Sequence, residues 1–117
     1  MEKVSVKEAP ATVLLRVHLR ELGLAYLEEH RFCKRLWRLD FYLPEQAIGI
    51  EIEGAVYARG RHTRGKGYED DCTKYNHATM AGIRVLRFSS GQVLRGEARA
   101  FLEAQLQEAP MREAQAY

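Results

Sequence analysis

Apolar residues recur along this chain with two different periods, and the switches between them mark out the elements. Over residues 11–22, Leu14, Leu15, Val17, Leu19 and Leu22 form a stripe at helical spacing, and Gly23 follows as a stop. The period then shortens to two. Residues 25–33 read as a first strand, 36–43 as a second and 47–53 as a third. In the second, Trp37, Leu39, Phe41 and Leu43 alternate with Arg38, Asp40 and Tyr42. In the third, Ile48, Ile50 and Ile52 alternate with Gly49, Glu51 and Glu53, so each strand has one apolar and one polar face. Only Pro44, Glu45, Gln46 and Ala47 separate the two, a hairpin-length link. Residues 54–67 hold four glycines and four lysine or arginine side chains and read as a long loop. The helical period returns over 68–81, with Tyr68, Cys72, Tyr75 and Thr79 on one face and Asp70, Asp71, Lys74 and His77 on another, and Gly82 ends it. Residues 83–88 read as a strand, and 95–107 as a final helix packing through Ala98, Phe101, Leu102 and Leu106.

This order predicts an α/β fold, a mixed β-sheet of about four strands flanked by helices. A hairpin supplies the antiparallel part, and a crossover helix returns the chain to add a parallel strand. The expectation is one domain over 1–117, with its core over about 10–108 and a frayed tail over 109–117. Hydrophobic residues make up 46% and charged residues 29%, which fits a folded globule rather than a disordered chain. No apolar run nears the ~20 residues of a membrane helix. The first residues lack the apolar core of a signal peptide, so the expected compartment is cytoplasmic. Two cysteines, Cys33 and Cys72, are too few for a zinc site or a disulfide framework and read as free buried thiols.

A net charge of +2 says little about partners, but its distribution says more. Of 18 basic residues 13 are arginine, and they gather at Arg31, Lys34, Arg35 and Arg38 and again at Arg59, Arg61, Arg64 and Lys66. The guanidinium fork suits phosphate, so these groups point to nucleic acid or, equally, to a solvated face. The hairpin carries sharper chemistry. Leu43 opposite Ile48 puts Asp40 opposite Glu51 and Arg38 opposite Glu53. Two carboxylates facing each other across a sheet repel. A divalent cation between them removes the conflict. Asp40 and Glu51, with the Ile52 carbonyl as third ligand, make a candidate Mg²⁺ or Mn²⁺ site, and Gly49 leaves room beside Glu51. Glu53 either joins that site or forms a cross-strand ion pair with Arg38.

The run Arg38-Leu39-Asp40-Phe41, followed by Ile50-Glu51-Ile52-Glu53-Gly54, resembles the core of the PD-(D/E)xK nuclease superfamily. The stretch Gly60-Arg61-His62-Thr63-Arg64-Gly65, then residues 67–76 and Gly82 to Phe88, is similar to small phage-encoded members of that group. Very-short-patch repair endonucleases and Holliday-junction resolvases are relatives by the same likeness. The resemblance covers roughly residues 10–95. It implies a restriction-endonuclease-like core and Mg²⁺-dependent DNA cleavage, with Asp40, Glu51, Glu53, Lys74 and His62 as the catalytic group. Arg35, Arg38, Arg61, Arg64 and Lys66 would be the DNA-binding residues. One departure matters. Glu53 stands where the superfamily has its lysine, and Lys74 on the following helix is the candidate replacement, with Lys66 and Arg64 as competitors. His62 would act as base or leaving-group acid. Relatives also carry an acid on the first helix, for which Glu8 and Glu21 are available. The expected function is a structure-selective endonuclease, a Holliday-junction resolvase acting as a homodimer on branched DNA. The alternatives are a mismatch or lesion nickase and an inactive DNA-binding module of the same fold.

Overall fold

The structure is a computed structural model and describes residues 8–35, 37–54 and 56–106, with backbone alone over 56–64. Helix α1 (Pro10–Glu21) precedes three antiparallel strands, β1 (Leu27–Arg31), β2 (Arg38–Leu43) and β3 (Ile48–Glu53). Helix α2 (Val56–Met80) then crosses to β4 (Arg84–Ser89), and α3 (Ser90–Leu94) and α4 (Glu97–Leu106) follow. The sheet order is β1-β2-β3-β4, with β3 and β4 parallel. This is the mixed, helix-flanked α/β sheet that the hydrophobic pattern predicts. Residues 109–117, expected to fray, lie outside the described residues.

The two faces of the sheet differ sharply. On one, α1, α3 and α4 cover a cluster of thirteen buried residues, among them Leu15, Leu19, Phe41, Leu43, Ile48, Ile50, Phe88 and Leu102. Alternation along β2 and β3 builds that face, since every second residue points into it. On the other, α2 lies over a smaller cluster that among the described residues comprises Leu39, Ala78 and Ile83, joined by Phe32, Tyr42 and Val85. Helix α1 is tied to β1 through Arg16, which donates to Glu28 at 2.6 Å and to Glu8 at 2.8 Å.

Several sequence expectations change. The 54–67 loop is instead the first part of α2, which starts at Val56 and runs for 25 residues. Glycine weakens a helix by about 1 kcal/mol each against alanine without forbidding it, and no proline interrupts the stretch. The face of α2 that meets the sheet carries Lys74, Tyr75 and Ala78, whereas Tyr68, Cys72 and Thr79 are exposed. Cys72 is therefore not a buried thiol, and Cys33 is only half-buried. The expected final helix is α4, and a short helix that the pattern did not predict, α3, precedes it. A Ser89–Gln92 capping box starts α3, and Gly96, at φ 85°, turns the chain before α4. Leu39 leaves the face of Phe41 and Leu43 for the α2 side. Its pleat is broken where β2 and β3 cease to pair, beyond Phe41↔Ile50. On the other flank Glu29, between the pairs Glu28↔Phe41 and His30↔Leu39, has a φ of 50°. Leu39 then fills the space above Gly49, where a Cβ would lie 2.7 Å from its Cδ1. Gly49 thus makes room for Leu39 rather than for Glu51.

Candidate active site

The carboxylate pair sits where the β2–β3 ladder gives way to side chains. The register Leu43↔Ile48, Tyr42↔Gly49 and Phe41↔Ile50 is the one the hairpin predicts. At the next step the Asp40 N–H donates to Glu51 Oε2 at 3.0 Å, and the Ile52 N–H donates to Asp40 Oδ2 at 2.7 Å. Each carboxylate replaces a main-chain acceptor of the opposing strand. Both acids are thereby fixed by backbone, which holds them together despite their like charge.

Helix α2 supplies the counter-charge. Lys74 Nζ lies 2.9 Å from Glu51 Oε1, and the Tyr75 hydroxyl donates to the same oxygen at 3.1 Å. The pair is well shielded from water, with the Lys74 side chain 14% exposed and that of Glu51 12%. Burial pushes the Tyr75 phenol well above its ordinary range, and the Glu51 charge adds to the effect. Asp40 is also held above the usual carboxylate range. Burial is the main cause, opposed by the Ile52 N–H and reinforced by the negative charges of Glu51 and Glu29, while Lys74 pulls it back down. Asp40 Oδ1 has no hydrogen-bond partner among the described residues.

Glu53 is not paired with Arg38. It accepts from Arg87 Nε on β4 at 2.5 Å, and Arg38 is exposed. The parallel register places Arg87 beside Glu51 and next to Glu53, a neighbour that a hairpin count cannot see. Arg87 also lies over the Tyr75 ring, 4.8 Å from its centroid, so Glu53, Arg87, Tyr75 and Glu51 form a chain across the sheet. Neither helix-side acid reaches the site. Glu8 is held by Arg16, and Glu21 by Arg99. The additional acid is Glu29, whose charge acts on Asp40 from the adjoining strand. Continuing the β1–β2 register from Leu27↔Tyr42 puts Glu29 opposite Asp40, which is the signal that could have found it. Lys66 pairs with Asp70 at 3.5 Å, and Arg35 stacks on Trp37, 4.8 Å from the ring centroid. The side chains of Arg61, His62 and Arg64 lie outside the described residues.

The donors fit a hard cation that asks little of the protein. Asp40 Oδ1, the Glu51 carboxylate and the Ile52 carbonyl are all oxygens, as Mg²⁺ and Mn²⁺ prefer. Among the described residues no group of three or more His, Cys, Asp or Glu side chains is placed to hold a metal ion. A zinc centre or a calcium cage needs more protein ligands than this, whereas Mg²⁺ commonly takes one or two carboxylates and completes its shell with phosphate and water.

The chain is similar in fold to the catalytic domain of the homing endonuclease I-Bth0305I, with a TM-score of 0.63 and 19% identity over 83% of this chain and 93% of that domain. The core is nuclease-like. No family model and no curated protein matches the sequence. Within this nuclease-like core the acids lie on β2 and β3 and their lysine on the crossover helix. Among the described residues no helix is long and apolar enough to cross a membrane.

Proposed function

We propose that this protein is a divalent-metal-dependent DNA endonuclease, that its substrate is branched DNA, and that it resolves four-way junctions as a homodimer. The observation that carries the reading is the meeting of Asp40, Glu51 and Lys74 from three separate elements, on a core whose fold is that of a nuclease. Asp40, Glu51 and the Ile52 carbonyl would hold Mg²⁺ or Mn²⁺, which would polarise a phosphodiester and ease ionisation of a water. Lys74 stands beside Glu51, where its ammonium can face the charge that builds on the phosphoryl oxygens. Lys74 thus takes the place left by Glu53, which is committed to Arg87 and acts by fixing β3 against β4. His62 is the candidate that protonates the leaving oxygen as the P–O bond breaks. Among the described residues every element belongs to the sheet and its covering helices, and none forms a separate base-reading module. Selectivity by DNA shape is part of this reading. Two nicks related by a two-fold axis call for two copies of the site.

The test is cleavage of a four-way junction, a mismatched duplex and a plain duplex in Mg²⁺ or Mn²⁺, with chelator as control. The junction is expected to be cut symmetrically. Asp40→Asn and Glu51→Gln should abolish cutting and retain junction binding in gel-shift assays. Unchanged cutting by both variants removes the proposed site. Preference for the mismatch makes the protein a nickase, and tight binding with no cutting in any metal makes it a binding module.

A further inference from the structure

The ion pairs divide the basic residues into two sets. Arg16, Lys66, Lys74, Arg87, Arg95 and Arg99 each meet a carboxylate. Arg20, Arg31, Lys34, Arg35, Arg38 and Arg84 meet none among the described residues, and all six are exposed. Residues 31–38 contain no acid at all. Four of these six, Arg31, Lys34, Arg35 and Arg38, fall within eight residues at the junction of β1 and β2. Arg31 shapes that segment by donating to the Lys34 and Arg35 carbonyls at 3.4 and 3.3 Å.

Aromatic rings stand within this charge. Trp37 is half-buried, with Phe32 nearly parallel to it at 6.5 Å between centroids and His77 of α2 tilted against it at 5.3 Å. The Arg35 guanidinium lies 4.8 Å from the Trp37 centroid, on an exposed side chain. A planar cation covers this ring face, so the face is one that accepts a planar group. The half-buried Phe32 and the exposed His77 are the other two rings that neighbour the indole.

The position is suited to the site. Trp37 is three residues before Asp40, about 10 Å along an extended chain. His77, its partner, is three residues beyond Lys74, about 4.5 Å along the helix. Helix α2 therefore carries both contacts, the ring contact through His77 to the residue just before β2 and the lysine contact through Lys74 to Glu51 on β3.

We propose that Trp37, capped by Arg35 and backed by His77, is a stacking platform for an unpaired nucleobase of single-stranded or branched DNA next to the phosphate held at Asp40 and Glu51. This rests on the endonuclease reading and deepens it by naming the form of DNA recognised. Stacking on an aromatic face accepts any base, whereas bases inside a duplex are already stacked on one another. The base enters between indole and guanidinium, and Arg31, Lys34 and Arg38 take the adjoining phosphates.

Trp37 is the sole tryptophan, so its fluorescence reports the event directly. The full-length protein is titrated in chelator with a single-stranded oligonucleotide, the matching duplex and a four-way junction with a short unpaired flap. Quenching is expected with the single strand and the flapped junction and not with duplex. Trp37→Ala should weaken single-strand binding roughly five- to 150-fold, the range that alanine substitution at stacked bases implies, and leave duplex binding within about twofold. Trp37→Phe should restore most of the affinity. Arg35→Ala, a change at an exposed side chain, should lose more on single strand than on duplex. Saturated binding with unaltered fluorescence, or equal losses on single strand and duplex, overturns the platform. Since cleavage is not the readout, the two proposals separate. Quenching without any metal-dependent cutting keeps the platform and removes the nuclease, and cutting with a silent Trp37 does the reverse.

Discussion

The two faces of the sheet do different work. Under α1, α3 and α4, thirteen buried residues make a continuous apolar core. Under α2 the buried apolar residues among those described are Leu39, Ala78 and Ile83, and Lys74 and Tyr75 both meet one oxygen of Glu51. The first arrangement is non-directional and tolerant, since apolar burial scales with area. The second depends on a few polar contacts of set geometry. On the proposed reading the protein separates stability from chemistry, and substitutions on the two faces should fail in different ways.

The largest contrast is expected at Lys74. Lys74→Met keeps the stem and removes the charge, and should lower the cleavage rate about 10²- to 10³-fold if the ammonium faces the transition state, with Lys74→Arg recovering part of it in single-turnover assays. Phe41→Ala, at the centre of the apolar face, should instead cost about 3–5 kcal/mol in urea unfolding. The fraction that remains folded should cut at the parental rate, and a comparable loss of cutting would break the division between faces. Gly49→Ala is intermediate. Its new Cβ meets Leu39 Cδ1 at 2.7 Å, and the overpacking should cost about 1–3 kcal/mol. The smallest effect is electrostatic. Asp40 is held above its ordinary range chiefly by burial. Between the unfolded and the raised value, the native state keeps a proton that the unfolded chain has released, so stability falls as pH rises through that window. In chelator, Asp40→Asn should remove this slope and raise the melting temperature at neutral pH. Added Mg²⁺ should stabilise the parent and not the variant.

Much of this division was legible in the residues. Alternation and a four-residue link determine the β2–β3 register, and with it the meeting of Asp40 and Glu51. Lys74 was nominated by the resemblance, with Glu53 standing in the motif lysine's position, while helical spacing alone set it on a different face from Tyr75. What stayed hidden depends on contacts far apart in the chain. Arg87 reaches Glu53 through a parallel pairing that no turn dictates. Tyr75 read as part of an apolar stripe, but it is a donor to Glu51. Glycines at 60, 65 and 67 concealed the early turns of α2, because propensity alone is a weak guide when tertiary contacts hold a helix in place. Glu29 was overlooked because its backbone is irregular: a φ of 50° places an acid opposite Asp40 at a point where alternation stops being informative.

That kink has a bearing on self-association. β1 is an outer strand of the sheet, and four of its five residues, Leu27, Glu28, Glu29 and Arg31, are exposed. A charged border with a left-handed residue at its middle is a poor template for another strand, so sheets from two molecules will not zip together along it. If two copies are needed to nick both arms of a junction, their contact has to be made elsewhere on the surface, and the border at β1 stays clear for DNA.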